Sequence, residues 1–115
     1  MRTTYLKIYQ DALRHNLRAI RALVPKETET VAVVKANAYG YGAVLVAGMA
    51  MEEGYEALAV AVTGEARQLR EAGFKCPIYL LGLLMPDEYE DAFETDAIIP
   101  ICESTNLKLL DETAA

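Results

Sequence analysis

Residues 30–42 read Thr-Val-Ala-Val-Val-Lys-Ala-Asn-Ala-Tyr-Gly-Tyr-Gly. The run Val31–Val34 is small and β-branched, and carries no charge until Lys35. A run this short and this apolar predicts a strand buried on both faces, as in parallel sheets. A lysine directly at its end then stands at the mouth of the sheet, where α/β folds place their chemistry. Gly40 and Gly42, each preceded by a tyrosine, let the backbone turn sharply and approach a ligand closely. A buried strand, a terminal lysine and a glycine turn set the frame for everything on either side.

Upstream, residues 4–9 alternate apolar and polar or amphipathic side chains and predict a short edge strand. Asp11 suits a helix N-cap. Leu13, Leu17, Ile20 and Val24 recur at helical spacing until Pro25 stops the run, with His15 and Asn16 off the stripe. Downstream, residues 43–53 predict a helix closed by Gly54 at its C′ position. From Ala43 to Met51 that helix has no charged or strongly polar side chain, although a helix on the outside of a fold should show a wet face. Residues 57–62 predict the second strand, 65–72 a helix with Gly73 after it, and 78–81 a third strand behind Pro77. Pro86 fits the first turn of another helix, with Asp87 and Glu88 near its positive end. Residues 97–101 predict a fourth strand that Pro100 ends, and Ser104 or Thr105 caps a last helix through Leu107 and Leu110.

A helix followed by four strand–helix units is an α/β pattern with parallel strands and right-handed crossovers. Two architectures satisfy it: an open doubly wound sheet, and part of a (β/α)8 barrel, which needs ~250 residues in all. The pattern by itself leaves both open.

Composition narrows the function classes. The chain has 115 residues, 53% of them hydrophobic and 24% charged, enough for one domain with a core. A net charge of −6 argues against nucleic acid or an anionic membrane surface as partner. Two cysteines, Cys76 and Cys102, lack metal-ligand spacing and read as core thiols of a reducing, cytoplasmic protein. One histidine excludes a histidine-rich metal site, so no metal is expected. The N-terminal residues lack the apolar core of a signal peptide, and the longest apolar run falls far short of the ~20 residues that span a bilayer.

Residues 33–42, VVKANAYGYG, resemble the cofactor-attachment motif of alanine racemases. The segments Asp11–Arg18 (DALRHNLR), Glu65–Gly73 (EARQLREAG) and Pro77–Gly82 (PIYLLG) resemble the same family in the same order. The resemblance implies a partial (β/α)8 TIM-type barrel of about four βα units. It makes residues 1–115 the N-terminal part of the pyridoxal 5′-phosphate (PLP) binding barrel domain, without that family's C-terminal β-rich domain. It implies a PLP-dependent isomerase that interconverts L- and D-alanine for peptidoglycan, acts in the cytoplasm and assembles as a homodimer. Lys35 is then the residue that carries PLP as a Schiff base, Tyr39 the donor to its phosphate, and Leu81 a side chain packed beside it. Such a lysine must lose its proton, which burial among apolar neighbours favours. Tyr41 stands where the family usually has histidine. The family's second acid–base group, a tyrosine from the partner subunit, belongs to its later domain. On this reading the chain alone is not expected to racemise alanine, the 4–9 strand lacks its partner, and open sheet edges favour self-association. The rival readings are a non-catalytic PLP-binding barrel, a racemase of other amino-acid specificity, and a structural fragment that folds only as an assembly. The KANAYG form favours a racemase.

Overall fold

Strand β1 (Val31–Val33) pairs in parallel with β2 (Ala57–Val60), and β2 with β3 (Ile78–Leu80), in the spatial order β1-β2-β3. This is a computed structural model, and it describes residues 3–115. The register aligns Ala32, Leu58 and Ile78 in one row and Val33, Ala59 and Tyr79 in the next. The helices are α1 (Gln10–Leu23), the short turn α2 (Lys35–Tyr39), α3 (Ala43–Glu52), α4 (Thr63–Glu71), α5 (Tyr89–Glu94) and α6 (Ser104–Ala114). A single 3₁₀ turn at Pro86–Glu88 leads into α5.

The two faces of the sheet differ. Ala32, Val34, Leu58, Val60, Ile78 and Leu80 point into one core, where they meet Ala43, Val46, Ala47 and Ala50 of α3 and Ala66 and Leu69 of α4. Among the described residues the opposite face carries no helix. Val31, Val33 and Ile98 are 41%, 42% and 42% exposed there. A strand buried on both faces was expected at 31–34; β1 is instead buried on alternate residues, because only one side of the sheet is covered. Strands in sequential order, with their crossover helices all on one side, give the arrangement of a barrel wall. A doubly wound sheet reverses its strand order and carries helices on both faces.

Helix α3 explains its own composition. Val46, Ala47, Met49 and Ala50 are buried, and α1 lies across the remaining surface, bringing Leu13 and Leu17 against the core. Arg18 grips Glu53 at 2.9 Å through both of its donor nitrogens used there, Arg14 reaches Glu52 at 2.5 Å, and the Tyr55 hydroxyl donates to the Leu17 carbonyl at 2.9 Å. The α3 helix is apolar all round because it is the middle of three layers. The broad exposed surface that an unaccompanied outer helix would have does not form. Charge stitches the edges of this stack. The Arg18 guanidinium holds the Glu53 carboxyl below its ordinary range, and the Thr30 backbone N–H does the same to Glu56.

Four expected elements differ in detail. Residues 4–9 are not a strand, since among the described residues no strand lies beside them, and Tyr5, Leu6 and Tyr9 are exposed. Helix α1 is entered from Tyr9, so Asp11 falls inside its first turn instead of capping it. The segment 97–101 forms one parallel bridge, Ile98 with Tyr79, because Pro100 has no N–H to donate and no further strand lies beyond it among the described residues. Glu103, not Ser104 or Thr105, holds the N-cap position of α6. The helices at 43, 63 and 86 and the second and third strands lie where the punctuation by Gly and Pro put them, within about two residues.

Candidate functional site

The C-terminal rim of the sheet gathers the residues of interest. The last ladder bond of β1 runs from the Val34 N–H to the Ala59 carbonyl at 2.9 Å, and Lys35 is the next residue. The last ladder bond of β3 runs from the Leu81 N–H to the Val60 carbonyl at 2.8 Å. Parallel strands end on the same side, so Lys35 and Leu81 share one rim. Leu81 lies two residues after Tyr79, hence on the same open face, and both line an apolar groove of about 380 Å³ with Val31, Val33 and Ile98.

After Lys35 the backbone does something no glycine prepares. Ala36, Asn37, Ala38 and Tyr39 have φ of 52°, 55°, 54° and 55°, one turn of left-handed helix built from non-glycine residues. L-residues there cost about 1–2 kcal/mol each, so four of them represent strain on the order of 4–8 kcal/mol. The turn is held by several bonds. Ala38 N–H donates to the Val34 carbonyl at 3.0 Å, and the N–H groups of Gly40 and Gly42 donate to the Asn37 carbonyl at 3.2 and 2.9 Å. The Asn37 Oδ1 accepts the Ala43 N–H at 2.9 Å and so opens α3. The Glu65 carboxylate accepts the Ala36 N–H at 2.6 Å. Strain concentrated in this way is characteristic of functional sites. Because Ala36 is exposed, Ala36→Gly removes a crowded Cβ from a left-handed position, and glycine's extra chain entropy only partly offsets the gain. The variant is expected to be more stable by roughly 0.5–1 kcal/mol in urea titration. A loss of that size would show that the turn is not left-handed in solution.

The three side chains expected at the site are all on this rim, and all are accessible. Lys35 is half-buried, and among the described residues its Nζ makes no ion pair or hydrogen bond. Tyr39 is 65% exposed and Leu81 53%. A lysine amine without a counter-charge has the chemistry to condense with a carbonyl, and Tyr39 and Leu81 add an exposed phenol and an apolar side chain at the same end of the sheet. Tyr41 goes elsewhere: with Tyr9, Leu13 and Asn16 it lines a cleft of about 170 Å³ against α1. Its ring therefore faces the N-terminal helix and not the groove.

Two features escaped the sequence reading. One is the left-handed turn, for which Asn37 is the sole local signal, since Asn tolerates this region and Ala and Tyr do not advertise it. The other is Glu65, which reads as an ordinary helix residue and turns out to contact a loop 29 positions away.

The sequence profile of the family described as "Alanine racemase, N-terminal domain" matches residues 8–115. The alanine racemase of Desulforamulus reducens is 47% identical over 97 residues, covering 84% of this chain and 26% of that protein. The crystal structure of alanine racemase from E. faecalis superposes with a TM-score of 0.87 at 31% identity, covering 92% of this chain and 29% of the other. A histidine racemase from Leuconostoc mesenteroides superposes with a TM-score of 0.78 at 30% identity, covering 90% of this chain and 27% of the other. The chain thus spans about a quarter of the length of the curated relatives it matches. Its α/β wall is part of a TIM-type barrel.

Proposed function

Because the chain belongs to the alanine racemase N-terminal domain family, we propose that it is the portion of a PLP-dependent alanine racemase that carries the cofactor lysine. We propose further that residues 1–115 are the N-terminal part of the barrel domain of such an enzyme. The observation that carries the reading is the uncommitted Lys35 amine at the sheet rim, next to a strained turn. The donor set fits the cofactor. Lys35 Nζ would hold it covalently, the exposed Tyr39 hydroxyl would donate to its phosphate, and Leu81 would lie against its ring. PLP supplies, when bound, the electron sink that makes the α-proton of an amino acid removable. Within this chain Lys35 Nζ is the group to take or return that proton on one face of the substrate, a step typically worth ~10²–10⁴-fold. Alanine is the substrate the reading favours; the histidine racemase likeness keeps another amino acid as the alternative. The test is to treat the chain with PLP and then borohydride. The Lys35 amine condenses with the aldehyde, losing water, and hydride fixes the product as a secondary amine. Peptide mapping should find the added mass on Lys35. Addition spread evenly over the other lysines would overturn the reading.

Pairing with a second copy of the chain belongs to the same proposal. The outer edge of β1 is unpaired among the described residues, and the apolar groove beside it is open. Sedimentation at micromolar concentration should return twice the chain mass, and Val33→Lys should return the monomer. A wild-type monomer would contradict the pairing. A cytoplasmic setting is supported by Cys76 and Cys102, both free; neither is in the core as expected, Cys76 being half-buried and Cys102 exposed, and thiol titration of freshly isolated protein should count two. Among the described residues no helix is long and apolar enough to cross a membrane.

A further inference from the structure

We propose that Glu65 is a positioning residue for Lys35: its carboxylate ties the peptide that follows the lysine to the loop between β2 and α4. The proposal rests on the reading of Lys35 as the cofactor lysine. Glu65 sits in the first turn of α4, where a glutamate ordinarily reaches back to the backbone N–H groups at the helix entrance. Oε1 does this, accepting the N–H of Ala61 at 2.9 Å and of Val62 at 3.1 Å. That satisfies the helix. Oε2 is left over, and it accepts the Ala36 N–H at 2.6 Å, the shorter and stronger bond expected of an ionised acceptor.

The consequence for Lys35 is geometric. The peptide that follows its α-carbon is anchored directly, and the nearest ladder anchor before it lies one peptide further back. On one side the Val34 N–H is bonded to the Ala59 carbonyl, and on the other the Ala36 N–H is bonded to Glu65. Both anchors belong to the second strand–helix unit, so β2 and α4 together bracket the backbone that carries the lysine, and Glu65 holds the nearer of the two points. Ala36 is also where the left-handed turn starts, and this turn can persist only if its surroundings hold it. A carboxylate is the one side-chain group of this length with two acceptors and no donor, so a single residue can cap a helix and pin a neighbouring loop at once.

Three measurements on the 115-residue chain test this. In the wild type, NMR should detect a coupling through the hydrogen bond between the Ala36 amide nitrogen and the Glu65 Cδ, with the Val34–Ala59 bond as reference. Glu65→Gln keeps the length and one oxygen for the α4 cap but offers Ala36 only an amide donor or nothing. In that variant the Ala36 amide should exchange with solvent about tenfold faster, and PLP–borohydride modification of Lys35 should slow by about tenfold, as for the loss of one bond to a charged group. Gln68→Gly is the control. It weakens the same helix at an exposed position and should leave Lys35 modification within about twofold of wild type, since it changes helix propensity alone. Absence of the coupling while the reference is seen, or wild-type Lys35 modification in Glu65→Gln, overturns the proposal. If Lys35 is not modified even in the wild type, the cofactor reading falls, and the coupling and the Ala36 exchange rate still decide whether Glu65 holds the turn.

Discussion

Replacing Lys35 with alanine should abolish site-specific attachment of PLP, leaving only the slow, scattered modification of surface lysines. The chain has four other lysines besides Lys35: Lys7, Lys26, Lys75 and Lys108. Lys35 differs from a surface lysine in following the last ladder bond of β1 and in having its backbone held by β2 and α4. The effect is all-or-none because the covalent bond needs that one nitrogen. Tyr39→Phe separates attachment from binding. It removes a hydroxyl that is exposed at the rim, and a hydrogen bond to a charged group is worth about 1.5–3 kcal/mol. Reversible PLP affinity should therefore fall roughly 10- to 100-fold, while Lys35 remains the modified residue at saturating cofactor. Intact-mass and peptide analysis read the first variant, and a spectral titration the second. Unchanged modification in Lys35→Ala would remove the basis for the proposed function.

The largest effect on folding should come from Leu58→Ala. Leu58 is fully buried at the centre of β2, paired with Ala32 on one side and Ile78 on the other, and packed among side chains of the helical layer. A buried Leu→Ala change costs about 3–5 kcal/mol where the surroundings cannot collapse into the space. Strand pairing on both sides leaves little room for that relaxation. The loss is a large part of the 5–15 kcal/mol by which domains are usually stable. Leu23→Ala, at a site 85% exposed on α1, should shift the urea midpoint hardly at all, within roughly 0.5 kcal/mol. Equal effects at the two positions would mean that the β2 core is not formed as described.

Much of this fold is readable from local pattern. The short apolar runs at 31–34, 57–62 and 78–81 hold the three strands because stretches of four to six residues of Val, Ala, Leu, Ile and Tyr suit a sheet and are too short for helices. Gly54 and Gly73 end helices at positive φ, where glycine carries no penalty, and Pro86 opens a helical turn. The alternation of those elements is enough for a parallel α/β wall, and the motif at 33–42 together with the segments at 11–18, 65–73 and 77–82 carries the family, whose profile matches residues 8–115. All of these are decided by residues within a few positions of one another.

What the tertiary structure alone decided is which surfaces are covered, and by what. A barrel wall and a doubly wound sheet share one alternating pattern; the bare face of Val31, Val33 and Ile98 distinguishes them. The α3 helix has no polar side because α1 lies across it. Among the described residues the segment at 4–9 has no strand to pair with, and the segment at 97–101 meets β3 at the single bridge of Ile98 with Tyr79, although both have the local pattern of strands. The turn after Lys35 runs against local preference, because alanine and tyrosine do not favour the left-handed region, and contacts such as that of Glu65 with Ala36 offset the cost. Local propensity is encoded a few residues at a time, whereas burial, pairing and the support of a strained turn depend on groups brought together from distant parts of the chain.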